Sequence, residues 1–521
     1  MTTTPRKFAA MAGLVAGGLA VTLGMLIAAI TQVVSPIDAV GSEVIDHAPL
    51  WLKEQAIEWF GTDDKLALRI GIISILAIAA VGVGLLATRR IWWGVAGIAV
   101  FGVVGAVAAA SRPGESAGAA VPSVVGAVAG AAVLYRLVQQ RIAEGAAPET
   151  SAVWDRRRFL MTGGITAAGA VVAGGIARGV EERRVNRIRE SIQAPLPPID
   201  APASDAPASD APATQATPEM QDIPPDAELF DETPYITPND EFYRIDTALS
   251  FPNVDIDSWS FEIKGMVDTP MKFTYADLLA LPQVERTVTL CCVSNEVGGD
   301  LIGNAVFRGV MLRDLLDKAG VQAGAEQVYS TSLDGWTCGF PVEIAFDGRD
   351  AMVAIGMNGE ALPLEHGYPA RLVVPGLYGY VSATKWLAEI KLTSWDDEGY
   401  WVPRGWAARG PVKTQSRIDV PRNRNVSAGK QAIAGVAWAQ HRGISKVEVQ
   451  VDDGPWQVAT LAADVSIDTW RQWLLEWEPT PGKYTVRVRA TDMTGETQTE
   501  EETYVAPDGA TGYHTIRVTV E

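Results

Sequence analysis

A chain of 521 residues with 48% hydrophobic content is too long for one ordinary domain, and its first third is too apolar to be wholly soluble. Its 62 acidic against 43 basic residues, a net charge of −19, speak against nucleic acid or an anionic membrane surface as partner of the remainder. Three cysteines exclude a four-thiolate iron–sulfur cluster or a four-cysteine zinc site within one chain.

Apolar runs near residues 8–30, 68–88, 91–110, 118–138 and 159–180 each approach the roughly 20 residues that cross a hydrocarbon core as a helix, so residues 1–190 read as a five-helix membrane domain. Positive charge before, between and after these runs sets their direction. Arg6 and Lys7 precede the first, Arg89 and Arg90 separate the second and third, and Arg136, Arg141, Arg156, Arg157 and Arg158 lie between the fourth and fifth. Those three sites are expected on the cytoplasmic side. The loop after the first run carries Asp38, Glu43, Asp46, Glu54, Glu58, Asp63 and Asp64 against Lys53 and Lys65, as suits an outer loop. Five crossings then place everything after residue 180 outside, although Arg183, Arg184, Arg187 and Arg189 follow the last run, partly offset by Glu181, Glu182 and Glu190. The stretch from Asp155, DRRRFL before a moderately apolar core, resembles a twin-arginine export signal placed inside the chain; plain positive flanking charge is the competing explanation.

Residues 191–225, rich in Pro, Ala, Ser, Asp and Thr with APASD given twice, cannot bury enough surface to offset their ordering entropy and read as a semi-extended tether. From 226 to 410, short apolar runs alternate with helical patches at Tyr275–Leu281 and Val310–Ala319, an α+β pattern. From 411 to 521 the period becomes two: Ile444, Val447, Val449 and Val451 form one series, and Tyr484, Val486, Val488 and Ala490 another. With the turns DDGP and TPGK this predicts a β-sandwich of immunoglobulin type.

Within the α+β region, VTLCCVSNEVGG places Cys292 among small residues, with Asn295 and then Gly298 and Gly299, where backbone can approach a bulky ligand. A single thiolate in such a setting suits a metal held mainly by a pterin. Cys291 is a poor substitute, because adjacent side chains of an extended segment point to opposite sides. The segment Cys292-Val293-Ser294-Asn295 resembles the C-A-G-N segment of the sulfite oxidase family, whose cysteine ligates molybdenum. A second stretch, NGEALPLEHGYPARLVVPGLYGYVSATKWLAEI, resembles that family's molybdopterin-binding run, and the resemblance covers roughly residues 221–521.

The resemblance implies a Mo-molybdopterin cofactor with Cys292 on the metal. It implies cofactor contacts from Asn295, from His366 and Arg371 in HGYPAR, from Ser382, Thr384 and Lys385 in VSATKW, and, more weakly, from Ser332. DEFYRID resembles the family's first cofactor segment and adds Asp240, Tyr243 and Arg244. Arg and Lys suit a pterin phosphate on their own chemistry. Cys338 has no matched role and reads as a buried free thiol. A domain like residues 411–521 often mediates dimerisation in the family, which implies a homodimer without showing one. Loading such a cofactor before export also fits the export motif.

Two departures bear on the substrate. Glu296 and Val297 stand where sulfite oxidases carry a pair of arginines, and Ile355 in AIGMNG stands where they carry a tyrosine. Arg244 is left as the obvious anion-binding candidate and is counted with Cys292 among the catalytic residues, so sulfite becomes a doubtful substrate and a neutral sulfoxide or N-oxide gains ground. The leading expectation is an outward-facing, membrane-anchored oxidoreductase transferring an oxygen atom to or from a small molecule, with reduction slightly preferred. Oxidation of sulfite or another small sulfur compound is the alternative, and a non-enzymatic cell-surface binding protein with a vestigial pterin site is the rival from another class. Of the four histidines, His47, His366, His441 and His514, one lies in the membrane part, too few for a membrane b-type haem, and no C-x-x-C-H occurs. Electrons are therefore expected to pass to or from a separate protein or a quinone.

Overall fold

The structure, a computed structural model, describes residues 6–49, 52, 55, 59–60, 64–112, 115–144, 152–192, 196, 223–252 and 254–521. Most of the expected tether and the side chains of residues 152–159, which carry the export motif, lie outside the described residues. So do Lys53, Glu54, Glu58 and Asp63 of the first loop. Contacts divide the chain into two compact units, Met1–Ile188 with Thr247–Asn253, and Arg189–Asp246 with Val254–Glu521.

In the first unit, five helices among the described residues are long and apolar enough to cross a membrane: Arg6–Thr31, Lys65–Ala87, Ile91–Ala110, Ala117–Gln139 and Leu160–Glu190. Glycine lets the first helix approach two others closely. A Cβ on Gly13 would fall 2.0 Å from the carbonyl oxygen of Ala80, one on Gly84 2.0 Å from that of Ala9, and one on Gly126 2.2 Å from that of Ala20. Small residues at such seams are how helices pack in lipid, where hydrophobic exclusion is absent. Exposed Trp92 and Trp93 follow Arg89 and Arg90 with Ile91 between, the aromatic-plus-basic composition of a membrane interface. A further helix, Pro36–His47, lies in the loop read as acidic. Its start was legible, since Ser35 caps it by accepting from the Asp38 N–H, with Pro36 opening the first turn.

The second unit holds two cores. Its α+β part runs β1 (Ser260–Gly265), β2 (Met271–Thr274), β3 (Val284–Cys291), β4 (Ile302–Met311), β5 (Gln327–Ser332), β6 (Thr337–Pro341), β7 (Met352–Met357), β8 (Glu360–Ala361), β9 (Arg371–Val373) and β10 (Leu387–Thr393). One sheet has the order β2-β1-β10-β5-β6; the other has β3-β4-β7-β8, with β9 on β7. The helix Tyr275–Ala280 opens on a capping box, Thr274 with Asp277. Leu312–Ala319 ends at Gly320, whose φ of +70° suits glycine. Phe261, Ile263, Leu312, Leu316, Val328, Ile355, Leu372 and Ile390 share the core between them.

Residues after 414 form two further sheets: β11 (Gln415–Val420), β13 (Gln431–Trp438), β17 (Arg471–Trp477) and β16 (Thr460–Leu461) in the order β11-β13-β17-β16, and β12 (Asn425–Val426), β14 (Ile444–Val451), β15 (Gln457–Val458), β18 (Gly482–Asp492) and β19 (Thr515–Val520) in the order β12-β19-β18-β14-β15. Ile433 and Trp473 of the first sheet share one core with Val447, Val449, Val486, Val488 and Val518 of the second, so the two pack face to face as a sandwich. The two alternating series read from sequence are β14 and β18, paired antiparallel.

Candidate active site

The site is built at the end of β3. Val284–Cys291 pairs antiparallel with β4 up to Cys291↔Ile302, after which the chain turns: the Asn295 N–H donates to the Cys292 carbonyl (3.0 Å), and the Cys292 N–H donates to Leu301 O (2.9 Å). The turn is closed by Asn295, whose Oδ1 accepts from the Leu301 N–H at 2.9 Å. All three cysteines are free and buried. The Cys292 sulfur accepts from the Ser294 N–H at 3.4 Å, and Cys291 Sγ donates to the Cys292 carbonyl at 3.4 Å. Burial pushes both thiols above their ordinary pKa, Cys291 far above; for Cys292 the Ser294 contacts and the Lys385 charge work in the opposite direction.

Around this turn lies a cradle of buried polar groups. His366 Nε2–H donates to the Asn239 carbonyl at 2.8 Å, and burial, the leading cause, brings the ring's pKa down to about 4, so the imidazole is neutral at pH 7. Among the described residues its Nδ1 has no hydrogen-bond partner, and neither does Asn295 Nδ2. Arg371 is 4% exposed; its guanidinium meets two carbonyls, Nη1 to His366 O at 3.2 Å and Nε to Leu372 O at 3.3 Å, and lies over the Phe307 ring, with no carboxylate pair among the described residues. Burial lowers its pKa to about 10. Lys385, brought down to about 8 by burial, donates to Glu365 O (3.0 Å) and Asp246 (3.3 Å). Buried cations and orphaned polar atoms of this kind are costly unless an anionic, hydrogen-bonding ligand completes them. Among the described residues no three His, Cys, Asp or Glu side chains gather as metal ligands, so the donor set fits a metal carried by an organic cofactor and touched by one thiolate.

The other residues named from sequence fall differently. Tyr243 is half-buried, and its phenol is held well above the usual range, by burial first and then by charge at Cys292 and Cys291. Its neighbour Phe242 packs edge-on against His366 and Phe307. Ser382 Oγ is buried and donates to Tyr378 O at 3.1 Å; Ser332 Oγ accepts from the Asp334 N–H at 3.4 Å. Asp240 is exposed on its turn, and it is the carbonyl of Asn239 that reaches His366. Thr384 is wholly buried, with its hydroxyl bonded to Ser330 (2.7 Å) and Cys338 (3.1 Å). Arg244 is an exposed side chain paired at 2.9 Å with Asp246, the carboxylate that Lys385 also meets. Ile355, at the position of the family tyrosine, is fully buried in the core. Sequence reasoning missed Tyr378, a buried phenol close enough to both thiols for their charge to raise its pKa. It also missed Arg417 and His514, whose distance along the chain left no local signal.

Both neutral histidines predict acid sensitivity in the cofactor-free chain. His366 and His514 have folded pKa values of about 4, below the unfolded value, chiefly through burial. Their contribution is whole above about pH 6.5 and is lost as pH falls toward 4 because the unfolded state takes up the protons first, at most about 3 kcal/mol for His366 and less for half-buried His514. Denaturant titration in detergent should show this slope, and His366→Gln or His514→Gln should each flatten it.

Residues 248–401 match the family described as oxidoreductase molybdopterin binding domain. The chain is 36% identical over 156 residues to the uncharacterized oxidoreductase YuiH of Bacillus subtilis, an alignment covering 30% of this chain and 76% of that protein. It is 30% identical over 272 residues to sulfite oxidase of Arabidopsis thaliana, covering 42% and 68%, and 31% identical over 300 residues to mitochondrial sulfite oxidase of Macaca fascicularis, covering 48% and 54%. The sulfane dehydrogenase SoxCD of Paracoccus pantotrophus aligns with a TM-score of 0.49 at 26% identity, over 57% of this chain and 83% of that one. These matches make the protein a molybdopterin-dependent oxidoreductase. The chain belongs to the sulfite oxidase-like family of those enzymes, and Mo-molybdopterin is its cofactor. The reading as a non-enzymatic binding protein gives way to this membership.

Proposed function

We propose that the protein is a membrane-anchored enzyme reducing a small neutral oxide, a sulfoxide or N-oxide, at an extracytoplasmic site. In this reading residues 1–190 are the membrane domain, 191–225 the tether, 226–410 the catalytic domain and 411–521 an immunoglobulin-like domain that pairs two copies. Cys292 is the protein ligand of molybdenum; Arg371 and Lys385 face the pterin phosphate, with Asn295, His366, Tyr243, Ser332 and Ser382 around the rest. When bound, the cofactor supplies exchange of one oxygen atom and two electrons. Loss of the substrate oxygen as water consumes two protons and two electrons, the electrons arriving from a separate reduced protein or a quinol. Tyr243 and Tyr378, held protonated by burial, supply O–H donors beside the thiols.

The observation that carries the choice of a neutral substrate is the loop after Cys292. Exposed Glu296 and half-buried Val297 stand on it, and Arg417, which reaches it at Gly299 O (2.8 Å), is neutralised by Asp419 at 2.6 Å. A dianion would meet a carboxylate and no unpaired arginine there. Stopped-flow mixing of the oxidised protein with sulfite is expected to leave the metal centre's absorption unchanged, whereas the reduced protein is reoxidised by a sulfoxide or N-oxide. Rapid bleaching by sulfite would instead establish the sulfite-oxidising reading.

Orientation has its own test. Replacing Arg156 and Arg157 by Lys keeps the charge, so it should abolish twin-arginine export while sparing topology set by charge alone. Protease added to spheroplasts is expected to reach residues 226–521 in the parent and not in the Lys variant. Equal digestion of both would leave only the charge argument, and a shielded parent would invert the topology.

A further inference from the structure

β3 is an edge strand, so the backbone groups on its outer side need partners from elsewhere. At Thr289, three residues before Cys292, those partners come from the sandwich. The Thr289 N–H donates to Asp468 O (3.0 Å), its carbonyl accepts from Gln440 Nε2 (3.0 Å), and its Oγ1 accepts from the Trp470 N–H (2.7 Å) while donating to Asn304 Oδ1 (2.9 Å). Thr289 is 1% exposed and uses every polar group it has. Beyond the thiol the sandwich takes hold again. Gly299 O accepts from Arg417, which is fixed by Asp419, itself an acceptor from Thr233 Oγ1 at 2.9 Å. Gly298 has a φ of +78°, and a Cβ there would fall 2.4 Å from two atoms of the His514 ring. That ring is fixed in turn, because its Nδ1 accepts from the Ile418 N–H at 2.9 Å.

We infer that the C-terminal sandwich is a positioning element of the active site: it grips the segment 289–299 on both sides of Cys292, and so sets where the thiol and the Glu296–Val297 wall stand. Neither Thr289 nor His514 touches reacting atoms in this account; both act through the backbone they hold. A sandwich that served association between copies alone would have no need to close the outer edge of β3 or to fill the space over Gly298. The inference rests on the reading of Cys292 as the metal ligand.

The test uses the full chain, purified with cofactor in detergent. Gly298→Ala should retain molybdenum and pterin, yet shift the electron spin resonance signal of pentavalent molybdenum and lower kcat/KM by about 100-fold, the scale of a displacement near 1 Å at a reacting centre. Adding His514→Ala to that variant removes the ring the new methyl meets, and should bring the signal part of the way back to the parent's, the backbone strain of alanine at a φ of +78° remaining. Thr289→Val keeps shape and removes the hydroxyl at the other grip; it should shift the signal in a cofactor-loaded protein even if Gly298→Ala fails to fold. Parent-like signals in both Thr289→Val and Gly298→Ala, or a double variant no closer to the parent than the single one, would overturn the inference. Cys292→Ala serves as reference: an unchanged signal there would refute the ligand assignment, a different failure from that of the grip.

Discussion

Cys292→Ala is expected to lower turnover by about three orders of magnitude, roughly 4 kcal/mol of transition-state stabilisation, while Cys291→Ala keeps most of the activity. The two thiols are neighbours but not equivalents. Cys291 is the last residue of β3, 2% exposed, with its hydrogen directed to the Cys292 carbonyl and its pKa driven far up by burial. Cys292 stands in the turn, 8% exposed, with the Ser294 N–H on its sulfur and the Lys385 charge near enough to favour thiolate. A metal ligand must give up its proton, and although burial resists that at both thiols, the surroundings resist it less at Cys292 than at Cys291. Truncating Cys291 leaves a small cavity, a loss of about 1 kcal/mol in stability rather than in chemistry. Steady-state kinetics of both variants checks the contrast, and equal loss would remove the basis for choosing between them.

Arg371→Met should separate cofactor binding from folding. The buried guanidinium is matched by carbonyl oxygens and the face of Phe307, so in the cofactor-free protein it is a desolvated charge with no carboxylate partner among the described residues. Replacing it by an apolar side chain of similar length should leave the melting temperature of that form unchanged or higher. With cofactor, the same substitution removes the charge opposite the phosphate and should weaken retention by about two orders of magnitude. Pterin fluorescence after denaturant extraction measures the second effect, and thermal unfolding the first. A variant that melts lower yet retains its pterin would show that Arg371 is structural.

The turn that follows Cys292 could be noticed in the sequence because its residues are local: Cys292, Asn295, Gly298 and Gly299 lie within eight consecutive positions, Cys292 to Gly299. The apolar helices were legible for a similar reason, since length and composition suffice to mark them. The pairing of Arg244 with Asp246 was not legible, because it depends on the turn of a segment that local pattern does not set. Nor were the partners of Thr384, since a hydroxyl in a binding motif looks alike whatever it bonds, here Ser330 and Cys338. Arg417 and His514 were invisible: the first reaches Gly299 across 118 positions, and the second meets Gly298 only because two sheets fold back onto the edge of β3. Such contacts are set by tertiary packing, which periodicity within one strand does not encode.

The central claim, that this chain holds molybdenum through the sulfur of Cys292, is tested most directly by X-ray absorption fine structure at the molybdenum edge of the purified full chain. The account predicts one sulfur fewer around the metal in Cys292→Ala than in the parent, and no change in Cys291→Ala. The same sulfur count in the parent and in Cys292→Ala would contradict it.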